Sequence, residues 1–317
     1  MSDLIHVPVM PQQVLRYLAP AQNRGLVVDA TLGEGGHSAL FLETSAHVHL
    51  VGLDADATML ERAAVRLAPY SGRYSLHHVW FDDYFASYSQ EQERPVAVLF
   101  DLGISMYHFR QSGRGFTFRE QERLDMRLNP SSQTSAATIV NTSSERQLAD
   151  LIFQLGEERY SRRIAAAIVR RRHQAPIETA ADLADIVNRC VPPAYRHGRI
   201  HPATRTFQAL RIAVNGELDR LARALDAAID VLAVGGRLGV ISFHSLEDRI
   251  VKHAFRERKN RSISASQAPM SSSERVQVLT KKPLVADQDE CLRNPAARSA
   301  KFRVLEKTEL EKTEGVS

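Results

Sequence analysis

Four strand-like runs in the first hundred residues constrain the fold more than any other feature of the sequence. They occupy residues 26–30, 48–53, 74–79 and 96–100, and helical patterns separate them. Strands that alternate with helices form βαβ units, which pack into a parallel, doubly wound sheet. Most of these runs do not alternate apolar with polar residues, as expected of strands that helices cover on both faces. The sequence therefore predicts an α/β fold with a Rossmann-like sheet.

The next strand-like run comes much later, at residues 237–243. The interval before it has mostly helical periodicity and is too long for one crossover helix. We therefore predict a helical domain inserted into the sheet domain, a Ser-rich surface loop at 260–275 and a frayed chain end. The predicted boundaries are 1–110 and 214–306 for the sheet domain, 111–213 for the insertion and 307–317 for the tail.

Charge is distributed unevenly along the chain. The formal net charge is +4, yet residues 159–211 contain 11 Arg, no Lys and three acidic residues. Such a local excess favours a polyanionic partner, with nucleic acid as the first candidate. Solvated helix faces would give the same pattern, so the charge alone leaves both interpretations open.

Composition and motifs argue against several classes of protein. No run approaches the roughly 18 uninterrupted apolar residues of a membrane-spanning helix, and the first residues lack the pattern of a secretory signal. The two cysteines, Cys190 and Cys291, form no CxxC pair, and the 12 His show no HExxH spacing. We therefore expect a cytoplasmic protein without a disulfide, a metal site or a membrane association.

The strongest motif is the glycine-rich turn from Asp29 to His37, directly after the first run. Glycines between a strand and a helix let a ligand approach the backbone, although a tight turn alone would also use them. Asp54 follows the second run, 19 positions after Gly35. A carboxylate at that position accepts both hydroxyls of a ligand ribose, or it caps the helix that follows.

Two further residues belong to the same predicted sheet edge. Phe81 follows the third run, where its ring could stack on an adenine or pack in the core, and Asp101 follows the fourth. Together with Asp54 they predict a crevice for a nucleoside-containing cofactor. The turn lacks the full GxGxxG pattern of dinucleotide enzymes, which disfavours a dehydrogenase without excluding it, and the sequence has no GxxxxGK[ST] motif.

The segment 242–249, after the fifth run, contains Ser242, His244 and two carboxylates. Such residues occur in hydrolytic triads, but the sequence has no GxSxG elbow. We expect this segment to line the crevice or to cap a helix.

These residues and several longer motifs together resemble the MraW/RsmH family of small-subunit rRNA cytosine-N4 methyltransferases. The matching motifs are GEGGH at 33–37, DLGIS at 101–105, RGFTF at 114–118, LDMR at 124–127, HPATRTFQALR at 201–211 and SFHSLEDR at 242–249. The resemblance extends from His6 to Arg303 and implies a methyltransferase sheet interrupted by a helical domain. It also implies that S-adenosylmethionine donates a methyl group to the N4 amine of a cytidine in the decoding region of 16S rRNA.

The resemblance further assigns roles to individual residues. It implies cofactor contacts at Gly35, Gly36, His37, Asp54, Phe81, Asp101 and His108. At the position of His108 the family usually has Gln. An imidazole still offers one donor and one acceptor, with a pH dependence that an amide lacks. The implied partner is the small ribosomal subunit, and the implied assembly is a homodimer.

The implied chemistry leaves two roles open for Asp101. The exocyclic amine of cytosine is a weak nucleophile, because its lone pair is delocalised into the ring. Asp101 or a backbone carbonyl could accept its N–H groups and align it with the methyl donor, and Asp101 could equally bind the cofactor. A ribosome-assembly factor that keeps the fold without catalysis is the non-enzymatic alternative.

The Arg-rich insertion is where we expect RNA to bind. The candidate phosphate ligands are Arg199, Arg205 and Arg211, and Tyr195 and Phe207 are candidates for base stacking. The substrate base has to leave its stack to reach the crevice.

Overall fold

The computed structural model contains two compact units. One comprises Met1–Ile104 and Leu218–Ser317, and the other comprises Ser105–Glu217. Within them the structure describes residues 7–20, 24–89, 91–118, 121–196, 198, 200–265 and 274–309, with backbone only at 262–265 and 274. The predicted insertion, 111–213, lies inside the second unit.

Seven strands of the described chain form one sheet in the first unit. They are β1 (Arg24–Asp29), β2 (His47–Asp54), β3 (Tyr74–His78), β4 (Ala97–Asp101), β5 (Arg237–Ser242), β6 (Glu274–Val278) and β7 (Lys301–Glu309). Their order across the sheet is β3-β2-β1-β4-β5-β7-β6. The strands β1 to β5 pair in parallel, and β7 pairs antiparallel with β5 and β6. The predicted α/β sheet is therefore confirmed.

Helices connect these strands and make up most of the second unit. The helices of the described chain are α1 (Pro11–Leu18), α2 (Gly36–Thr44), α3 (Ala57–Leu67), α4 (Phe81–Ala86), α5 (Met106–Arg110), α6 (Ala136–Thr142), α7 (Glu145–Gly156), α8 (Ser161–Arg172), α9 (Ala180–Cys190), α10 (Pro193–Arg196), α11 (Thr204–Asn215), α12 (Glu217–Val231), α13 (Ser245–Ala265) and α14 (Gln288–Arg293). None of them is both long and apolar enough to cross a membrane.

Two apolar cores lie on opposite faces of the sheet. Because side chains alternate between the faces of a strand, Val27 and Val28 of β1 belong to different cores. Buried residues of α1, α2 and α3 pack on the Val27 side, and buried residues of α12 and α13 pack on the Val28 side. Coverage on both faces explains why the strand-like runs lack apolar–polar alternation.

Side chains fix the backbone around Met126 in the second unit. Met126 has a φ of 62°, in the left-handed region, and is buried. The amide of Asn215, at the end of α11, donates to the Met126 carbonyl at 2.8 Å and accepts the Leu128 N–H at 2.9 Å. This exchange of hydrogen bonds stabilises a conformation that a non-glycine residue rarely adopts. The LDMR motif thus has a structural role inside this unit.

Two sequence predictions near the end of the chain are wrong at their boundaries. The predicted loop at 260–275 overlaps α13, which continues to Ala265, and β6, which begins at Glu274. The predicted frayed tail at 307–317 overlaps β7, which continues to Glu309. Lys307 is buried, and its ammonium donates to the Asp230 carbonyl at 2.9 Å. Tertiary pairing overrides the polar composition of both segments, and the rest of each, 266–273 and 310–317, lies outside the described residues.

Asp248 anchors α13 to the sheet. Its carboxylate accepts hydrogen bonds from Arg303 at 2.7 Å and from Lys301 at 3.3 Å, both on β7. Burial alone would raise the pKa of Asp248, but the hydrogen bonds and charges of these two cations hold it below its usual value. The fold therefore stabilises the ionised form of this carboxyl group.

We expect Asp248→Asn to lower the free energy of unfolding by about 2 kcal/mol at neutral pH, because Arg303 loses its ionised partner. Folding lowers the pKa of Asp248, so this contribution is present above the unfolded-state pKa and is lost as pH falls through the folded-state value. Urea unfolding at neutral and acidic pH measures both effects.

The control is Asp185→Asn, at an exposed ion pair with Arg189. It should cost less than about 0.5 kcal/mol at any pH. If Asp248→Asn gave the same loss of stability at acidic as at neutral pH, the assigned ion cluster would be wrong.

Candidate active site

Three strands end in an aspartate at the carboxyl edge of the sheet. Asp29 ends β1, Asp54 ends β2 and Asp101 ends β4. β1 lies between β2 and β4, so the connections on its two sides run in opposite directions across the sheet. Ligands of open α/β sheets bind outside the carboxyl edge at such a point. This edge is therefore the candidate active site.

Asp54 ties the glycine-rich turn to β2. Its Oδ2 accepts the Gly33 N–H at 2.9 Å, and its Oδ1 accepts the Asp56 N–H at 2.8 Å. Asp56 is the residue that caps α3, because its side chain accepts the Thr58 N–H at 3.0 Å. The helix cap is therefore Asp56 and not Asp54, whose half-buried carboxylate lies at the sheet edge.

The glycines of the turn serve two different purposes. A Cβ on Gly35 would lie 3.3 Å from the Cβ of Ala63, and one on Gly36 would lie 2.9 Å from Nη1 of Arg66. Both neighbours belong to α3, so these two glycines let the turn pack on that helix. A Cβ on Gly33 would meet no atom within 4 Å, and the φ of Gly33 is +52°. At Gly33 the space beside the backbone is therefore open to a ligand.

Glu34 anchors the turn from its buried side. Its side chain is fully buried, and Nη2 of Arg62 on α3 lies 3.4 Å from its Oε2. Burial lowers the pKa of Arg66, also on α3, and the negative charge of Glu34 opposes that shift. The sequence prediction did not include Glu34, although a lone acidic residue among glycines was the available signal.

His37 and Asp101 form a buried polar pair at the sheet edge. They are 5% and 9% exposed, and Nε2 of His37 lies 3.5 Å from Oδ2 of Asp101. Among the described residues, neither ring nitrogen of His37 nor Oδ1 of Asp101 has a hydrogen-bond partner. Buried polar atoms nearly always have a partner, so these three atoms indicate where a ligand would bind. The structure thus brings two of the predicted site residues together.

Asp29 interacts electrostatically with both members of this pair, and the sequence did not predict it as a site residue. Its carboxylate accepts the Ser38 hydroxyl at 2.7 Å and the Thr31 N–H at 3.3 Å. Burial raises the pKa of Asp29; the hydrogen bonds and His37 oppose this shift, whereas the charge of Asp101 adds to it. The Thr31 hydroxyl in turn accepts the Asp101 N–H at 2.6 Å. These hydrogen bonds connect the ends of β1 and β4.

Phe81 and His108 belong to different units. Phe81 begins α4 and is half-buried, with its ring edge-on to those of Phe100 at 5.4 Å and Trp80 at 6.4 Å. It therefore combines core packing with an exposed portion of the ring. His108 belongs to the second unit, where it is buried in α5 with its ring edge-on to that of Phe116 at 5.2 Å.

The segment 242–249 caps a helix, as one of its two predicted roles required. The capping side chain is Glu247, whose Oε2 accepts the N–H groups of Phe243 and His244 at 2.8 and 3.2 Å. Nε2 of His244 lies 3.0 Å from Oε1 of the same carboxylate. Ser242 is buried, and its hydroxyl donates to the Lys301 carbonyl at 3.4 Å. The segment thus organises the start of α13.

Two of the predicted phosphate ligands are engaged inside the second unit. Arg205 donates to the Glu157 carbonyl at 3.0 Å, just beyond the end of α7. Arg211 makes a two-bond ion pair with Glu217, at 2.9 and 2.8 Å, and its side chain is 16% exposed. Arg211 therefore offers little surface to a phosphate. The third candidate, Arg199, lies outside the described residues.

The two predicted stacking aromatics differ in exposure. Phe207 is buried, with its ring edge-on to that of Phe118 at 5.3 Å. Tyr195 is half-buried, and its hydroxyl donates to Glu158 at 2.5 Å. Tyr195 is therefore the more exposed of the two side chains.

Known proteins match this chain along nearly its whole length. The model of a family described as the MraW methylase family matches residues 3–308. A ribosomal RNA small subunit methyltransferase H from Treponema denticola is 50% identical over 306 residues, which are 96% of this chain and 97% of that protein. Proteins of the same name from Synechococcus elongatus and Nostoc punctiforme are each 45% identical. Their alignments cover 96% and 95% of this chain and 96% and 94% of the respective relative.

We expect Glu34→Gln to lower the free energy of unfolding by about 2 kcal/mol, because the largely buried Arg62 loses the ionised carboxylate of Glu34. Glu61→Gln, on the exposed side of α3, is the matched control and should change stability by less than about 0.5 kcal/mol. Chemical denaturation followed by circular dichroism measures both variants. Equal stability of the two variants would show that the Glu34 pair does not anchor the turn.

Proposed function

The chain belongs to the MraW methylase family, and on that premise we propose its reaction. It transfers a methyl group from S-adenosylmethionine to the N4 amine of a cytidine in the decoding region of small-subunit ribosomal RNA. The relatives named above support the rRNA substrate. The observation that carries the proposal is the buried pair of His37 and Asp101. Both ring nitrogens of His37 and Oδ1 of Asp101 lack hydrogen-bond partners among the described residues.

The residues at the sheet edge fit S-adenosylmethionine. Asp54 offers a carboxylate where nucleoside-binding sheets hold the ribose hydroxyls, and Phe81 offers an aromatic surface for adenine. The ring nitrogens of His37 suit the amino-acid end of the cofactor, which carries an ammonium and a carboxylate, and Oδ1 of Asp101 is left for the acceptor base. Gly36 and His37 begin α2, where backbone N–H groups have no helical acceptor. When bound, S-adenosylmethionine supplies an electrophilic methyl group on a sulfonium.

In this proposal Asp101 acts on the acceptor amine. Its Oδ1 accepts an N–H of the cytosine N4 group, which draws the delocalised lone pair toward the nitrogen and aligns it for attack. His37, 3.5 Å from Oδ2, restrains the orientation of the carboxylate. The new N–C bond forms as the C–S bond breaks, and N4 then releases a proton that Oδ1 can accept.

Methyl transfer to small ribosomal subunits tests the proposed function. The subunits come from cells that lack this protein, and S-adenosylmethionine carries a labelled methyl group. We expect nucleoside analysis to find the label in N4-methylated cytidine of the decoding region. Label in another nucleoside would contradict the assigned acceptor, and measurable cofactor binding without any transfer would contradict the assigned substrate.

We expect Asp101→Asn to lower the rate of methyl transfer about 100-fold while cofactor affinity changes little, because the amide offers N4 a weaker acceptor and no place for its proton. Single-turnover kinetics and calorimetric titration with S-adenosylmethionine separate the two quantities. Asp289→Asn, exposed on α14, is the matched control. A variant that loses cofactor affinity in proportion would make Asp101 a cofactor ligand, and unchanged turnover and affinity would overturn both roles.

A further inference from the structure

A groove of about 390 Å³ opens on the second unit, beside α7 and the beginning of α8. Phe153 of α7 lines one part of it. Arg159, Tyr160, Arg162 and Arg163, at the start of α8, line another. None of these residues takes part in the candidate active site, and none was among the predicted RNA ligands.

Three arginines and one carboxylate, that of Asp150, line this groove, so its lining has a net positive charge. Arg159, Arg162 and Arg163 are exposed, and no carboxylate in the described ranges forms an ion pair with any of them. Arg162 and Arg163 lie in the first turn of α8, which contains no acidic residue. The positive end of the helix dipole adds to their charge instead of offsetting it. An anion bound here would relieve this repulsion and accept helix N–H groups.

The guanidinium of Arg159 is held in place by two tyrosine rings. Its Cζ lies 4.8 Å from the ring centre of Tyr160 and 5.1 Å from that of Tyr195. The fully buried Glu158 accepts the Tyr195 hydroxyl at 2.5 Å and the Tyr160 N–H at 2.8 Å. Burial and this carboxylate raise the pKa of Tyr195 to about 12, so its hydroxyl remains a donor at neutral pH. Arg159 is thus ordered before a ligand binds, which lowers the entropic cost of binding.

Phe153 adds an exposed aromatic surface to this charge. Its side chain is 60% exposed, and the exposed Asp150 lies one turn earlier on the same helix. Aromatic rings beside arginines are the typical components of surfaces that bind single-stranded nucleic acid, because bases stack on the rings while the cations hold phosphates. An acidic peptide would use the arginines but would have no use for the face of the ring.

We propose that this groove binds a single-stranded segment of the RNA substrate, with a phosphate at Arg162 and Arg163 and a base stacked on Phe153. The inference rests on the proposed function and gives that function a docking surface. It also moves the RNA contacts away from Arg205 and Arg211, whose guanidinium groups already bind Glu157 and Glu217.

Fluorescence anisotropy of the full-length protein with a labelled oligocytidylate of about 10 nucleotides tests the groove. We expect Phe153→Leu, which stays apolar but loses the aromatic face, to raise the Kd about tenfold. Replacing both Arg162 and Arg163 by Gln should raise the Kd. It should also lower the slope of log Kd against log salt concentration by about 1.4, because each phosphate contact on a single strand contributes about 0.7. Arg189→Gln, an exposed arginine on α9 outside the groove, is the matched control and should leave the Kd nearly unchanged.

Equal Kd values for the wild type and both groove variants would overturn the proposal. A polyglutamate probe gives a second test. If Phe153→Leu weakened polyglutamate binding as much as oligonucleotide binding, the groove would attract anions in general without base stacking, and the proposal would be overturned. Methyl transfer by the wild-type protein, measured in parallel, reports on the proposed function separately. If the wild type methylated no rRNA while the groove variants still lost oligonucleotide affinity, the proposed function would fail and the groove would stand as an RNA site.

Discussion

The candidate site depends on how three buried or half-buried carboxylates are restrained at one edge of a parallel sheet. Asp54 binds the backbone of the glycine-rich turn and of the next loop, and Asp29 binds Ser38 and Thr31. The carboxylate of Asp101 lies 3.5 Å from the imidazole of His37. Two carboxylates therefore hold the edge together, and the third keeps an oxygen without a hydrogen-bond partner among the described residues. That difference is why we propose Asp101 as the carboxylate that meets a ligand.

Much of what the motifs contain serves the fold and not the chemistry. Glu34 fixes the turn to α3, Asp248 fixes α13 to β7, and Asn215 fixes the LDMR segment. Arg211, within the longest motif, is paired with Glu217. A signature that identifies the family therefore contains residues of the candidate site and structural residues, and the contacts of each side chain separate the two groups. The same reasoning moves the proposed RNA contacts to arginines outside the motifs.

Features that depend on local sequence were predictable, and features that depend on distant partners were not. The five parallel strands, and Asp54 and Asp101 at strand ends, follow from short apolar runs and their polar endings. The role of Glu34 requires knowing that α3 folds back over the turn, which spacing alone does not reveal. The burial of Lys307 requires β7 to pair with β5 and β6, so a charged composition wrongly predicted a frayed end there.

The central claim is that the methyl donor binds beside the ring nitrogens of His37, while Oδ1 of Asp101 is left for the acceptor amine. The most direct test is a crystal structure of the protein with S-adenosylhomocysteine, the demethylated cofactor. The account predicts the nucleoside beside Asp54 and Phe81, and the amino-acid end within hydrogen-bonding distance of His37. A ligand bound elsewhere, with the ring nitrogens of His37 still without partners, would contradict it.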